Sequence, residues 1–187
     1  MTTIETARLI LRRWRPADIA PMAAINADDE VMRWIGAGVG IPYDRTEASL
    51  AAAERHWDEL GYGWFAVEVR DTGMLAGLAG LGIPDDIPDV MPAVEIGWRL
   101  GRAFWGQGIA TEAARASLRF AFADRGMDRI LGIHQIGNHA SERIMHKLGM
   151  RPMLESTEPP LDRPVRVHAI TRVEYDRLTD PAATASD

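Results

Sequence analysis

Residues Gly101 to Ala114 read G-R-A-F-W-G-Q-G-I-A-T-E-A-A, and this stretch is the most informative part of the sequence. It follows an alternating, strand-like run from Val94 to Leu100 and leads into an alanine-rich helical pattern. Such a turn gathers backbone N–H groups around an anion, because the first N–H groups of a helix lack intrahelical partners and the helix dipole adds positive potential. Gly106 and Gly108 let the backbone approach a ligand closely. The stretch therefore predicts a site for a phosphate-bearing molecule.

The composition narrows the class of protein. A chain of 187 residues suits one domain that buries about 70% of its unfolded surface. It has no cysteine, which excludes disulfides, thiolate metal sites and cysteine nucleophiles. The net charge of −6 argues against a nucleic-acid partner. Because we find neither a secretion signal at the first residues nor an apolar run long enough for a membrane, we expect a cytoplasmic protein with no membrane partner.

Outside the opening stretch, the chain alternates between strand and helix periods. We expect strands at Arg8 to Trp14, Trp64 to Arg70, Leu75 to Leu81, Val94 to Leu100, Arg129 to Gln135, Met150 to Ser156 and Pro164 to Val173. We expect helices at Asp18 to Ala27, Thr46 to Leu60, Gly108 to Asp124 and Asn138 to Leu148. The order predicts a mixed α/β protein with a mainly antiparallel front half and a β-α-β-α-β back half. We predict a single domain over residues 1–178 and a flexible tail over residues 179–187.

Three motifs in this order resemble the GCN5-related N-acetyltransferase (GNAT) superfamily. They are V-E-I-G-W-R-L at 94–100, F-W-G-Q-G-I-A-T-E-A-A at 104–114 and N-H-A-S-E-R-I-M-H-K-L-G-M at 138–150. The opening T-A-R-L-I-L-R at 6–12 is similar to the RimJ/RimL type of ribosomal-protein N-acetyltransferase. Trp105 stands where the general phosphate-loop pattern starts with Gln or Arg, as is common in that branch.

The resemblance implies an α/β (α+β) fold of the GNAT type. The central sheet would be mixed and mostly antiparallel, with about six to seven strands, splayed apart between strands 4 and 5 and flanked by about four helices. Acetyl-CoA is the implied co-substrate, and the implied function is transfer of its acetyl group to a primary amine.

The resemblance also implies which residues hold acetyl-CoA. The backbone of Trp98, Arg99 and Leu100 would pair with the pantetheine arm, and Arg102 would add a positive charge. The pyrophosphate would sit on the N–H groups of Trp105, Gly106, Gln107, Gly108, Ile109, Ala110 and Thr111. The alternative is that Gly106 and Gly108 only make a tight turn.

A second constellation begins the helix at Asn138. Asparagine is a good N-cap residue, so Asn138 and Ser141 at the first turn have an ordinary structural interpretation. In the family, this asparagine hydrogen-bonds the cofactor arm, and a serine or tyrosine a few residues on protonates the departing thiolate. Ser141 is our candidate for that role. Arg143 and Lys147 face either the phosphates of CoA or solvent.

The reaction also needs a base, because only a neutral amine attacks a thioester. Glu95 lies on the predicted cofactor strand and is the candidate; the alternative is a solvated glutamate on an exposed strand face. Glu68, His134, His139 and His146 are reserves. His134 fits a buried histidine better than a ligand. The histidine spacing suggests no metal site, and we predict none.

The acceptor is the least determined part of the reaction. Trp34, Tyr43, His56 and Trp57 either line an acceptor site or belong to the core, and the aspartates at 85, 86 and 89 either favour a cationic acceptor or form a solvated loop. We expect a peptide N-terminus or a small-molecule amine as acceptor, and a homodimer as the common assembly of soluble proteins. The alternatives are a catalytically silent acyl-CoA-binding module of the same fold and a nucleotide-binding protein.

Overall fold

The structure is a computed structural model that describes residues 2–159 and 162–180. Within these residues there are eight strands and six α-helices. The strands are β1 (Ile4–Glu5), β2 (Leu9–Arg12), β3 (Trp64–Val69), β4 (Leu75–Gly82), β5 (Glu95–Leu100), β6 (Arg129–Gln135), β7 (Arg151–Glu158) and β8 (Arg163–Thr171). The helices are α1 (Ile19–Asn26), α2 (Asp29–Met32), α3 (Tyr43–Leu60), α4 (Ile109–Arg119), α5 (His139–Lys147) and α6 (Arg172–Thr179).

The chain divides into two compact units, of which the first comprises residues 1–82 and 97–117. In it, β1, β2, β3 and β4 are neighbours in sequence order and pair antiparallel from β1 to β4. The helices α1 and α3 pack on each other, and the core of this unit contains Trp14, Met22, Leu50, Ala53 and Ala66. Burial of these apolar side chains is the main force that holds the helices on the sheet.

The second unit comprises residues 83–96 and 118–187. Its strands β6 and β7 both pair antiparallel with β8, so β8 lies between them. The first residues of β5 pair parallel with β6, at Glu95 with Leu131 and Ile96 with Gly132. The core contains Ile87, Val90, Leu131, Val165 and Val167.

These pairings confirm the predicted α/β fold with a mixed, mostly antiparallel sheet. The counts are slightly higher than predicted, because β1, α2 and α6 were not expected. The parallel ladder of β5 with β6 covers two register pairs, which agrees with the short contact expected of splayed strands. The prediction of one domain over residues 1–178 stays a prediction, and residues 181–187 of the predicted tail lie outside the described part of the chain.

The helix α4 has the core face that its sequence predicts. Ile109, Ala113, Ala116 and Phe120 are all buried. The predicted helix to Asp124 is α-helical only to Arg119 and finishes in a wider π-helical turn, Phe120–Asp124.

The end of the chain corrects one prediction. The strand expected at Pro164 to Val173 ends at Thr171, where α6 begins. Thr171 and Glu174 form a capping box, in which each side chain accepts a hydrogen bond from the other residue's backbone N–H. This signature marks a helix start and was overlooked in the sequence.

No helix among the described residues combines the length and the apolar character that crossing a membrane requires.

Candidate active site

The loop before α4 is open to the surface. Trp105, Gly106, Gln107 and Gly108 are all exposed. Gly106 and Gly108 have φ angles of 72° and 78°, a region that disfavours residues with a Cβ. A Cβ at Gly106 would meet no atom within 4 Å, so this backbone faces free space. The positive φ angles fit a tight turn, and the exposed backbone also leaves room for a ligand.

The start of α4 supplies hydrogen-bond donors behind this loop. The N–H of Glu112 donates to the carbonyl of Gly108 at 3.0 Å, which is the first turn of the helix. The N–H groups of Ile109, Ala110 and Thr111 precede that bond and have no carbonyl four residues earlier in the helix to accept them. This geometry suits an anion such as a phosphate.

Hydrogen bonds of Arg8 and Glu112 connect the loop to residues 6–8. Nε of Arg8 lies 2.6 Å from the Glu112 carboxylate, the hydroxyl of Thr6 donates to the same carboxylate at 2.7 Å, and Nη1 of Arg8 donates to the carbonyl of Gln107 at 2.8 Å. Burial alone would raise the pKa of Glu112, but the hydrogen bonds from Thr6 and Arg8 outweigh it and hold that pKa below its usual value. Arg8 thus compensates a negative charge beside the anion site.

Sequence reasoning missed this role of Arg8 and Glu112. Both residues lie inside the quoted motifs, but they are 104 residues apart in the chain. Neither motif by itself indicates its partner, so the sequence held no local signal for the pair.

Side chains of the loop close its turn. The indole N–H of Trp105 donates to the carbonyl of Leu100 at 2.8 Å, and the amide of Gln107 donates to the carbonyl of Ala103 at 2.6 Å. Arg102, predicted to add positive charge, forms an ion pair with Asp28 at 2.6 Å. Its charge is therefore already matched by a carboxylate.

The backbone of β5 presents alternate residues to its two edges. The N–H of Gly101 donates to the carbonyl of Ala76 on β4, and a Cβ at Gly77 of β4 would collide with the carbonyl of Arg99. The main chain of Arg99 therefore faces β4, and by alternation that of Trp98 faces the other edge. Leu100 also faces that edge by alternation, but its carbonyl accepts from the indole of Trp105. Among the described residues, no side chain hydrogen-bonds to the main chain of Trp98. Of the three residues predicted to pair with pantetheine, Trp98 therefore has its main-chain groups available on that edge.

The side chain of Arg99 is an incompletely satisfied cation. Its Nη1 donates to Oδ1 of Asn26 at 2.8 Å, and Asn26 in turn donates to the hydroxyl of Thr46 at 3.0 Å. Nε of Arg99 is buried and has no hydrogen-bond partner among the described residues. Burial lowers the pKa of Arg99 to about 10. A neutral amide holds this guanidinium in place, and its charge is available to a ligand.

Glu95 is half-buried at the start of β5, and the pKa of its carboxyl lies near neutral pH. Burial raises its pKa to about 7, and the negative charges of Asp86, Glu158 and Asp85 act in the same direction. A carboxylate with such a pKa accepts a proton readily at pH 7, as a general base must. Asp85 and Asp86 of the 83–92 loop thus raise the pKa of Glu95, in addition to any attraction that they exert on an acceptor.

The predicted pair at α5 is confirmed as a helix cap. Oδ1 of Asn138 accepts from the N–H of Ser141 at 3.2 Å, and Nδ2 of Asn138 donates to the hydroxyl oxygen of Ser141 at 3.2 Å. Because the Ser141 oxygen acts as an acceptor in this bond, its own proton remains available for donation. Arg143 is exposed on the same helix.

The four reserve residues for the base lie in different surroundings. Glu68 accepts from Arg12 at 2.8 Å, and His139 lies 3.2 Å from Glu142. His134 is buried, as its strand position predicted, and the exposed His146 packs its ring against another histidine, His168.

The aromatic residues considered for the acceptor site differ in exposure. Trp57 is buried and donates to the carbonyl of Trp64, so it belongs to the core. Tyr43 is 53% exposed, Trp34 is half-buried, and His56 packs edge-on against Tyr62.

Comparison with known proteins places this loop and strand in a family. The family model for the acetyltransferase (GNAT) domain matches residues 8–151. YkkB, an uncharacterised protein of Bacillus subtilis, is 35% identical over 80% of this chain and 85% of its own length. The chain therefore belongs to the GNAT acetyltransferase family. It is an N-acetyltransferase, and enzymes of this family use acetyl-CoA.

Two further similarities agree with this assignment. An Aspergillus fumigatus protein named FsC-acetyl coenzyme A-N(2)-transacetylase is 32% identical over 49% of this chain and 42% of its own length. The crystal structure of a GNAT-family acetyltransferase from Bacillus anthracis superimposes with a TM-score of 0.77 at 23% identity, covering 92% of this chain and 99% of that one. The second similarity concerns the fold alone.

Proposed function

We propose that this enzyme transfers the acetyl group of acetyl-CoA directly to a primary amine, a peptide N-terminus or a small-molecule amine, in a ternary complex. The observation that carries the proposal is the open glycine loop at the start of α4, with the free N–H groups of its first turn behind it. The motifs at 6–12 and 104–114 favour the RimJ/RimL branch of the family.

The residues of the loop fit acetyl-CoA. The N–H groups from Trp105 to Thr111 would hold its pyrophosphate, since Gly106 and Gly108 leave the backbone exposed and positive φ angles turn it outward. Arg8 keeps Glu112 from repelling the phosphates, because it pairs with that carboxylate. The pantetheine arm would pair with the main chain of Trp98 on the edge of β5 that faces away from β4. In this position the Trp98 N–H polarises the thioester carbonyl as an oxyanion-type donor.

Glu95 is the proposed base. An amine with a pKa near 8 to 10 is mostly protonated at pH 7 and must lose a proton before it attacks. Glu95 takes that proton, directly or through a water molecule, because its raised pKa gives the carboxylate a matching proton affinity. The Asp85 and Asp86 charges that raise this pKa also attract a cationic amine.

Ser141 is the proposed proton donor to the leaving thiolate. A thiol of this kind has a pKa of roughly 8.5, by analogy with cysteine, so the thiolate gains from a hydrogen bond as it departs. The bond from Asn138 orients the Ser141 hydroxyl oxygen and leaves its proton for the sulfur.

The side chain of Arg99 would bind a negatively charged group of one substrate, a carboxylate of the acceptor or a phosphate of CoA. Its buried Nε has no hydrogen-bond partner among the described residues, and this supports the role, because a buried donor without a partner is costly unless a ligand satisfies it. Separate KM values for acetyl-CoA and for the acceptor identify which substrate it binds.

The test is release of free CoA thiol from acetyl-CoA with a panel of peptides, amino acids, polyamines and amino sugars. We expect turnover with at least one amine, and an about tenfold or greater loss of kcat in Ser141→Ala. Ser49→Ala, on the exposed face of α3, is the matched control. Binding of acetyl-CoA with no turnover across the panel would favour a silent binding module, and competition by ATP or NAD but not by CoA would favour a nucleotide-binding protein.

A further inference from the structure

We propose that His134, Glu142 and His168 form a binding site for a divalent transition-metal ion, with Zn²⁺ as the best match. The site is independent of the acetyl-transfer proposal, because none of these residues is assigned a role in that reaction.

The three side chains come from three elements of the second unit. His134 lies on β6, Glu142 on α5 and His168 on β8, and one ligand atom from each lies within 4.8 Å of the others. On the paired strands, His168 stands opposite Gly132 and His134 opposite Arg166. The two histidines are therefore diagonal neighbours on one face of the sheet, with ring centroids 5.2 Å apart.

Both histidines keep ring nitrogens that the described residues leave unpartnered. They are 5% and 0% exposed, respectively. Nδ1 of His134 lies 2.9 Å from the carbonyl of Gln135, so a proton on Nδ1 donates there and leaves a lone pair on Nε2. That Nε2, and both ring nitrogens of His168, are buried without a hydrogen bond. Buried polar atoms without partners are rare and costly, and a metal ion would satisfy one nitrogen of each ring.

The outer contacts of the cluster match those of known metal sites. A ligating histidine commonly donates its second N–H to a carbonyl, as His134 does, and ligating carboxylates are themselves hydrogen-bonded. Glu142 accepts from Nη1 of Arg166 at 2.8 Å. The positive charge of Arg166 opposes a cation, and the pairing of Arg166 with Glu155 at 2.7 Å reduces that opposition.

Two histidines and one carboxylate favour Zn²⁺ over Mg²⁺ or Ca²⁺, which prefer oxygen ligands alone. Ligand atoms around tetrahedral zinc lie about 3.3 Å apart, given metal–ligand bonds of about 2.0–2.1 Å. The three ligand atoms lie within 4.8 Å of one another, so side-chain rotations of the two histidines and Glu142 would bring them to this spacing. The ion would join β6, β8 and α5, the helix that carries Ser141.

The test is isothermal titration of chelator-treated, tag-free protein with ZnCl₂, together with metal analysis after dialysis and thermal unfolding with and without zinc. We expect one Zn²⁺ per chain and a higher Tm with zinc. His168→Gln and Glu142→Gln should each weaken zinc binding by at least about 100-fold, since loss of a hydrogen bond to a metal ligand alone costs about 10–100-fold.

His146→Gln is the matched control, because its ring packs 5.6 Å from that of His168 but supplies none of the three ligand atoms. It should bind zinc as the wild type does. Circular dichroism checks that each variant is folded, and Co²⁺, whose visible absorption reports tetrahedral coordination, gives a second readout with the wild type. Absence of binding by the wild type overturns the proposal, as does zinc binding that survives in both His168→Gln and Glu142→Gln, which would indicate exposed histidines instead.

Discussion

Arg12 on β2 and Arg99 on β5 both have buried guanidinium nitrogens, but the two side chains have different partners. Arg12 meets two carboxylates: it contacts Asp18 at 2.7 and 2.9 Å and Glu68 at 2.8 Å. The hydrogen bonds that Arg12 donates to Asp18, and then to Glu68, outweigh burial and raise the pKa of Arg12. Arg99 has the neutral amide of Asn26 as its only recorded side-chain partner among the described residues, and burial lowers its pKa.

The comparison distinguishes the charge of Arg12, which stabilises the fold, from the charge of Arg99, which we propose to bind a ligand. Removing one member of a paired, buried network leaves the others uncompensated, whereas an unpaired buried charge weakens the fold unless a ligand completes it. Perturbed groups without a protein partner are therefore candidates for binding and catalysis. Glu95, at the other end of β5, belongs to the same class, because its neighbours raise its pKa and none is a cation.

The largest effect on stability should come from the paired arginine. Arg12→Ala strands Asp18 and Glu68 and should lower the free energy of unfolding by about 3–5 kcal/mol. Urea unfolding measures the change. Arg45→Ala, at an exposed position on α3, is the matched control and should stay within about 0.5 kcal/mol of the wild type. A loss below about 1 kcal/mol for Arg12→Ala would erase the proposed contrast.

Removal of the base should have the largest effect on catalysis. Glu95→Gln should lower kcat/KM by about 100-fold or more, the usual contribution of a general base. In the wild type, kcat/KM should fall as pH drops through about 7, since the carboxyl is then protonated, and this acid limb should vanish in Glu95→Gln. Glu47→Gln on the exposed side of α3 should leave the profile unchanged.

The same raised pKa affects stability with the opposite sign. The fold favours the protonated carboxyl, so Glu95 costs stability as pH rises from about 4.5 to about 7, and the cost is absent below that window. Glu95→Gln should flatten this part of the stability profile. An acid limb that persists in Glu95→Gln would assign the base to another group.

Arg99→Met should produce the smallest of the three effects and the clearest separation of roles. It should destabilise the fold by less than Arg12→Ala does, because it removes the donor of one neutral acceptor, Oδ1 of Asn26, and strands no carboxylate. Its kcat/KM should fall by about 10–100-fold, the value of a charge-assisted hydrogen bond of about 1.5–3 kcal/mol. Arg99→Lys, which keeps the charge, should recover part of the loss. Destabilisation as large as that of Arg12→Ala would show that Arg99 is structural.

Local patterns predicted most of the fold. The strand at Arg129–Gln135 was predicted with its observed bounds, and the helix expected to end at Leu60 does so before Gly61, whose φ of 72° terminates it. The missed helix α6 had a local signal as well, in Thr171 and Glu174. The two residues of β1 and the four of α2 are too short for a periodic pattern to distinguish them from loop.

In the candidate site, too, features with a local sequence signal were predictable and contacts between distant residues were not. Gly106, Gly108 and the start of α4 were predictable, because positive φ angles and helix starts have local sequence signatures. The cap formed by Asn138 and Ser141 was predictable for the same reason. The ion pair of Arg8 with Glu112 was not, since it joins residues 104 positions apart.

The order of the elements, the glycine turn before α4 and the likeness to the GNAT family could all be predicted from local sequence, because each depends on residues that are neighbours along the chain. The pairing of charges became visible in the folded structure alone. Arg12 and Arg99 are both arginines on strands, and nothing local distinguishes them. The same holds for His134 and His168, which only strand pairing brings together. Electrostatic energy depends on distance and burial in space, and both arise only when distant segments pack.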